Sequence, residues 1–525
     1  MPNYKEAIVE QGRFVSVQFS HQIQPGTFEH ALNYIVDRKL NLSVLDAHFK
    51  NDHGGTSAYD PRVLLKIVLF AYSRGILSSR EIAGACRQNV VFMALSAAAQ
   101  PHFTTIARFI SSLSEAIVPL FRDILLYCDE LGLIGKEMFA IDGCKISSNA
   151  SKEWSGTRQD FERKKTKFQE SIAFLLKKHQ AEDDSEKNDS SLRGPANPGP
   201  RREQELKAIE RLQAKLAKVD AWLSSHDDRR GADGRPIKSN ITDPDSAKML
   251  TSHGVIQGYN GVAAVDDKHQ VIVAAQAFGE GSEVGVLEPL VDKVKEAFDR
   301  LGEPDIYNKA VITADSGYHS EKNMALLECK GVNAYIADRA LRRRDPRFLT
   351  ADRHKEQIHD WKKKYQRKYF APADFPQNPQ TGDVTCPAGK TLWLKDKEVT
   401  TANGFVGSCY MAHVEDCRGC ELRTKCLRVS TTKARQVYKF RGRDIPAEQM
   451  TFTKKMIAKM DTFVGRYLYS RRMGTVEPVF GNIRHMLGLD RFTLRGKHKV
   501  NIQWTLYSAV HNLLKIHRFG LAGAG

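Results

Sequence analysis

No uninterrupted apolar run in these 525 residues reaches the ~20 needed to cross a bilayer, so an integral helical membrane protein is not expected. The opening Met1-Pro-Asn-Tyr-Lys5 lacks a charged start followed by an apolar segment, and secretion is not expected either. Cysteine is sparse, odd in number and unevenly spread. Nine thiols placed this way point to a reducing compartment rather than a disulfide framework. Acid is in deficit: 62 Asp and Glu stand against 79 Lys and Arg, for a net charge of +17 and a pI near 9.3. Such an excess calls for a polyanionic partner, and nucleic acid fits better than a membrane. The hydrophobic share of 41% and charged share of 27% are those of a globular chain, and the length allows two or more domains.

Three carboxylates stand out against this background. The run Met138-Phe-Ala-Ile-Asp-Gly-Cys-Lys-Ile-Ser147 is an apolar, β-forming stretch interrupted by Asp142 and Gly143. Such a strand delivers Asp142 to the sheet surface, and Gly143 is expected to leave room beside it for a metal or phosphate. Ala310-Val-Ile-Thr-Ala-Asp315-Ser-Gly-Tyr318 repeats the pattern, and Val476-Glu477-Pro478-Val-Phe480 opens a segment of helical periodicity. Three carboxylates from two strands and a helix suit a pair of hard divalent cations that clamp the oxygens of a phosphoryl transfer.

Along the chain, Phe28, Leu32, Ile35 and Val36 recur at helical spacing. Helices are expected from Asp60-Pro61, from Ser78-Ser79 and from Thr104-Thr105. Short helices with tight turns fit a helix-turn-helix arrangement whose last helix presents Thr104, Thr105 and Arg108 to DNA, or a bundle used for packing. Residues 151–240 read as a charged helical hairpin, Glu162–Lys178 and Glu203–Leu223, around a flexible Asp183–Arg201 connection. Then follow two strands, Gly258–Val265 and Gln270–Ala277, about an Asp266-Asp267 turn. A helix over Val284–Leu301, a strand to Asp315, a helix over Ser320–Lys330 and a strand over Asn333–Asp338 complete the pattern. That order is ribonuclease H-like: a mixed sheet with helices on its faces and a site at strand ends.

A second insertion, 339–465, opens with Arg342, Arg343, Arg344, Arg347, Lys362–Lys364, Arg367 and Lys368, interleaved with Trp361, Tyr365 and Tyr369. Alternating bases and aromatics can hold phosphates while stacking on exposed bases. It also holds Cys386, Cys409, Cys417, Cys420 and Cys426. Cys386, Cys417, Cys420 and Cys426 are the preferred thiolate quartet for a structural zinc, Cys409 is the rival fourth ligand, and reduced structural cysteines are the alternative. Glu477 and Arg484 fall two turns apart on one helical face, so Arg484 could hold a phosphate beside a metal. His511, in Ser508-Ala-Val-His511-Asn-Leu-Leu-Lys515, reads as a buried structural histidine.

These stretches together resemble a bacterial insertion-sequence transposase of the DDE type, in the branch with an InsH-like N-terminal domain. The resemblance is carried by Tyr59-Asp-Pro-Arg62; Ala140-Ile-Asp-Gly143 with Lys145; Gly258-Tyr-Asn260; Ala314-Asp-Ser-Gly-Tyr318; the Cys-Pro-x-Gly and Cys-x2-Cys-x5-Cys pieces; Val476-Glu-Pro-Val-Phe480-Gly481; and His511-Asn-Leu-Leu-Lys515. It implies Asp142, Asp315 and Glu477 as a catalytic triad holding two Mg2+ or Mn2+ ions. It further implies cleavage and strand transfer at terminal inverted repeats on double-stranded DNA, a homodimer or larger assembly, and a bacterial cytoplasmic, nucleoid-associated location. Other readings are a ribonuclease H-like nuclease without strand transfer and a catalytically silent DNA-binding protein.

The implied organisation is α/β: a helical DNA-binding or dimerisation domain over 1–135, a ribonuclease H-like core over 136–150, 241–338 and 466–517, and insertions at 151–240 and 339–465. One departure marks the chain. The family signature Tyr-x2-Arg-x3-Glu-x6-Lys, counted back from Glu477, finds Met473 at the Arg place and Ser470 at the Tyr place, with Arg484 at the Lys place. Tyr469, Arg471 and Arg472 lie close but out of register.

Overall fold

The computed structural model describes residues 16–46, 57–114, 116–188, 200–230, 234, 236–251, 254–345, 348, 369–400, 405–443 and 451–520. It divides into two compact units, Met1–Asp338 with Thr462–Gly525, and Arg339–Asp461.

The first unit opens with helices α1 (Phe28–Arg38), α2 (Ser43–Asp46), α3 (Pro61–Ser73), α4 (Ser79–Gln88), α5 (Val90–Leu95), α6 (Phe103–Ser112) and α7 (Ile117–Glu130). Helix α3 starts as its sequence dictates: the Asp60 carboxylate accepts from the Arg62 N–H at 2.8 Å, and Pro61 fills the first turn. Leu64 through Tyr72 are then buried without a break, which makes α3 the centre of the helical layer rather than a surface helix. Helix α5 was not legible from periodicity. It is only six residues long, and Asn89 fixes its start by accepting from the N–H groups of Val91 and Phe92.

The sheet is built from β1 (Met138–Ser147), β4 (Ala247–Thr251), β5 (Gly254–Asp266), β6 (Ile272–Phe278), β7 (Val311–Ala314) and β8 (Ala334–Ile336), with the short pair β2 (Ser155–Gly156) and β3 (Ser239–Asn240) outside it. Its order is β4-β5-β1-β7-β8, and β6 also pairs with β5. Strand β5 runs antiparallel to β1, β4 and β6, while β7 runs parallel to β1 and β8 parallel to β7. Strand β4, in Ala247–Thr251, is an addition to the expected set.

Between β2 and β3 the chain makes the expected hairpin, α8 (Arg158–Asn188) against α9 (Pro200–Ser225), around Phe161, Val219 and Trp222. Helix α8 runs ten residues past the expected end at Lys178, and 189–199 lie outside the described residues. Helices α10 (Leu287–Arg300), α11 (Ile306–Lys309), α12 (Glu321–Cys329), α13 (Phe463–Gly481) and α14 (Lys497–Lys515) complete the unit.

Helix α14 closes the free edge of β6. The Asn512 amide accepts from Ile272 N–H and donates to its carbonyl, both at 2.8 Å, and Asn501 does the same for Ala277 at 2.8 and 3.1 Å. Two side chains thereby replace a missing strand and satisfy an edge that would otherwise invite pairing. Trp504, fully buried, donates to the Val262 carbonyl over Gly261, where a Cβ would meet the indole at 3.1 Å. With Leu506, Val510 and Leu513 also buried, at ~1.5–3 kcal/mol for each large apolar side chain, this helix is a principal clamp on the sheet.

The second unit holds an antiparallel sheet of β9 (Val384–Thr385), β10 (Thr391–Thr400), β11 (Phe405–Met411) and β12 (Gln436–Arg443), in the order β12-β11-β10-β9. Its core is Phe375, Val384, Leu392, Tyr410, Ala412 and Val437. Arg347, Trp361, Lys362–Lys364, Tyr365, Arg367 and Lys368 lie outside the described residues. No helix is long and apolar enough to cross a membrane among the described residues.

Candidate active site

Strand register alone brings two of the carboxylates together. The parallel ladder of β1 and β7 ends at Ile141 opposite Ala314, so Asp142 and Asp315 are the next neighbours, on strands ~5 Å apart. Arg472 of α13 bridges them. Its guanidinium lies 2.7 Å from Asp142 Oδ2 and 3.6 Å from Asp315 Oδ1, and its side chain is only 8% exposed. The Tyr469 hydroxyl, one turn earlier, donates to Asp315 Oδ1 at 3.2 Å. Burial pushes the Asp142 carboxyl above its ordinary range despite Arg472 and the Gly143 N–H, which donates to it at 2.8 Å.

The helical register of α13 resolves the displaced signature. Tyr469 and Arg472 are three residues apart and share the face turned to the strand ends. Ser470 and Met473, the places counted from Glu477, are exposed. The Tyr-x2-Arg spacing is therefore kept, and the extra residue falls between Arg472 and Glu477. Glu477 is exposed on the same helix, with no hydrogen bond or ion pair among the described residues.

Two features of this region were missed from sequence. Glu283, between β6 and α10, lies close enough to Asp142 and Asp315 for their charges to raise its carboxyl further after burial has done so. Tyr318 is fully buried with a hydroxyl that finds no partner, beside Asp142, Glu283 and Asp315. Glu283 sits in Gly279-Glu-Gly-Ser-Glu283, a loop with no period; its only signal was a carboxylate in glycine-rich chain just after a strand.

Gly143 serves a different end from the one expected. A Cβ there would sit 2.5 Å from Asn260 Oδ1, so the missing side chain makes room for Asn260 of β5, not for a metal or phosphate. The continuous Glu477–Arg484 face is also altered. A π-helical turn over Asn482–Met486 begins two residues before Arg484 and rotates it relative to an α-helix. Arg484 lies near Cys144 of β1, whose thiol burial pushes up to about 12.

The remaining basic positions differ in setting. Arg471 pairs with Asp267. Lys145 donates from Nζ to the Leu250 carbonyl at 3.1 Å. Thr104 and Arg108 are exposed on α6 and Thr105 is half-buried, with the His102 ring capping that helix. In the second unit, Arg342 lies over the Phe348 ring and Arg344 reaches Asp461 at 2.9 Å; Arg343 is exposed.

Asp266 and Asp267 are accounted for by structure. Asp266, fully buried, accepts from the N–H groups of Gly135, Lys136 and Lys268 at 2.9–3.0 Å. His511 is buried too: its ring meets the Gln270 carbonyl at 2.9 Å and the Asn482 amide at 3.0 Å.

Two further clusters can be compared as metal sites. Among the described residues, His179, Glu182 and Glu205 bring three ligand atoms within 4.8 Å of one another. Lys178 salt-bridges both glutamates, which accounts for the cluster without an ion. In the second unit, Cys386, Cys417, Cys420 and Cys426 line one cavity with Phe370, Leu422 and Arg435, and the Lys390 N–H donates to Cys386 Sγ at 3.4 Å. Burial holds Cys426 above its ordinary range; Arg435 opposes the shift and the other three thiols add to it. Cys409 is buried on β11 and its Sγ accepts from the Gln436 amide instead.

Set beside known families, the chain matches two family models: a transposase DDE domain over residues 385–517, and the transposase domain DUF772 over residues 17–112. These matches identify it as an insertion-sequence DDE transposase. Glu477 falls inside the first match, whereas Asp142 and Asp315 lie between the two. A comparison with curated proteins gives no match.

Proposed function

We propose that the chain cuts DNA at the terminal inverted repeats of its element and joins the freed end to target DNA, using divalent metal at Asp142, Asp315 and Glu477. The observation that carries this reading is the register pairing that sets Asp142 beside Asp315, under a helix that also bears Glu477. The sheet order β6-β5-β1-β7-β8, with the first three strands antiparallel in sequence and the last two parallel to β1, supports a ribonuclease H-like core.

The residues fit a cation site by their chemistry. They are hard oxygen donors; burial raises the Asp142 carboxyl, and Arg472 pairs with both aspartates. Two Mg2+ or Mn2+ ions bound there would activate water or a 3′-hydroxyl for in-line attack and stabilise the departing oxygen. Arg472 holds Asp142 and Asp315 in place from the helix side, and Tyr469 fixes Asp315. Arg471, Arg484 and Lys145, with Thr104, Thr105, Arg108 and Arg342–Arg344, form the set proposed to meet phosphates, in keeping with the net charge of +17.

In domain terms, 1–135 serves DNA binding or dimerisation, 136–150, 241–338 and 466–517 form the core, and 151–240 and 339–465 are insertions. A homodimer or larger assembly acts on paired ends. In the second insertion, Cys386, Cys417, Cys420 and Cys426 hold a structural zinc. The cavity they share supports this, and the ion would have to draw together sulfurs that stand wider than a closed tetrahedral site.

The test is incubation of the full chain with labelled DNA carrying the element's ends, in Mg2+, Mn2+ or EDTA. Metal-dependent cuts at the element boundary followed by joined products support the reading. Cuts without joining favour a nuclease, and binding without cutting under any metal overturns catalysis.

A further inference from the structure

Glu283 is a half-buried carboxylate in an unfavourable place. Among the described residues it has no hydrogen-bond or ion-pair partner; the charges of Asp142 and Asp315 act on it, opposed by those of Lys145 and Arg472, and the three carboxylates do not all come within 4.8 Å of one another, so an ion would have to draw them together. The one arginine nearby is already engaged by those two aspartates. Its carboxylate lies against the Asp315-Ser-Gly-Tyr318 turn: a Cβ at Gly317 would lie 1.5 Å from Glu283 Oε2. The Tyr318 hydroxyl is fully buried, has no hydrogen-bond partner among the described residues and feels the charges of the same three carboxylates. Partly desolvated like charges in excess of their cations cost free energy, and a bound divalent cation removes that cost.

We propose that Glu283, on the loop after β6, is a direct ligand of the divalent cation held at Asp142 and Asp315. The inference rests on the metal-dependent reading above, and it adds a carboxylate that the Asp142, Asp315 and Glu477 set does not contain. Glu283 differs from Glu477 in setting: it is half-buried against the two aspartates, whereas Glu477 is exposed.

Mn2+ binding to the full-length protein without DNA, measured by calorimetry and by electron paramagnetic resonance of free Mn2+, tests this apart from turnover. Glu283→Gln is expected to weaken Mn2+ binding at least about tenfold, the loss that follows from ~1.4 kcal/mol or more per ligand. Glu283→Asp, which keeps the charge but shortens its reach, should fall between. The metal-free melting temperature of Glu283→Gln should equal or exceed that of the wild type, because repulsion is removed and no bond is lost. A lower melting temperature with unchanged Mn2+ binding would make Glu283 a structural residue and overturn the proposal. Wild-type affinity in Glu283→Gln, with binding lost in Asp142→Asn, sinks the role of Glu283 and leaves the metal reading standing. Binding unchanged in Asp142→Asn and Asp315→Asn sinks both.

Discussion

Two pairs of aspartates flank the same strands and have opposite fates. Asp266 and Asp267 lie at the end of β5, where Asp266 faces Phe139 near the start of β1; Asp142 lies three residues further along β1, beside Asp315. Asp266 is ringed by three backbone N–H groups, and Asp267 is held by Arg471. Asp142 and Asp315 must share Arg472, and Glu283 adds charge that Lys145 and Arg472 oppose without bringing its carboxyl back to the ordinary range. Adjacent arginines on one helix thus serve two different settings. A buried carboxylate whose lone pairs are filled is part of the scaffold, and a crowded one short of partners is where we propose that a cation binds.

The largest effect that tests this contrast is on cleavage. Asp142→Asn or Asp315→Asn should lower metal-dependent cutting at element ends by about a thousandfold or more, as loss of several kcal/mol of metal-borne stabilisation implies. DNA binding, read by mobility shift, should persist. Equal losses from Asp266→Asn in a folded protein would erase the distinction between the two pairs.

On the scaffold side, His511 gives the next largest effect. Burial lowers its pKa from 6.5 to about 4. The unfolded chain then binds a proton that the folded chain refuses, so stability is full above pH 6.5 and falls as the pH drops toward 4. The loss is about 3 kcal/mol. Denaturation midpoints of wild type and His511→Gln across that window should converge on acidification; a constant gap would remove the histidine from the account.

Much of the candidate site was legible because strands announce themselves by composition, and Asp142 and Asp315 each follow an apolar run. Their adjacency needed only the right sheet order. Glu283 was not legible, since its loop has no period and its relation to Gly317 exists only in three dimensions. Gly143 misled for the same reason: a glycine shows that space is needed and not what fills it, and Asn260 fills it. Tyr469 and Arg472 were visible but judged against Glu477. The helical face, not the count to the glutamate, decides which residues reach the strand ends.

Smaller effects separate Asp266 from Asp267. Asp266→Ala strands three partly buried N–H donors and should cost about 1–3 kcal/mol for each that water cannot reach, seen as a lowered melting temperature with activity per folded molecule retained. Arg471→Ala leaves the Asp267 carboxylate, only 4% exposed, without its partner, so its loss should exceed the ~1 kcal/mol of a surface pair, and Mn2+ should not change it. Arg472→Ala leaves Asp142 beside Asp315 without their shared arginine, and its stability loss should shrink when Mn2+ is added. A loss for Arg472→Ala that Mn2+ does not reduce would mean that arginine and metal do not answer the same charge, and the two aspartate pairs would then differ in packing alone.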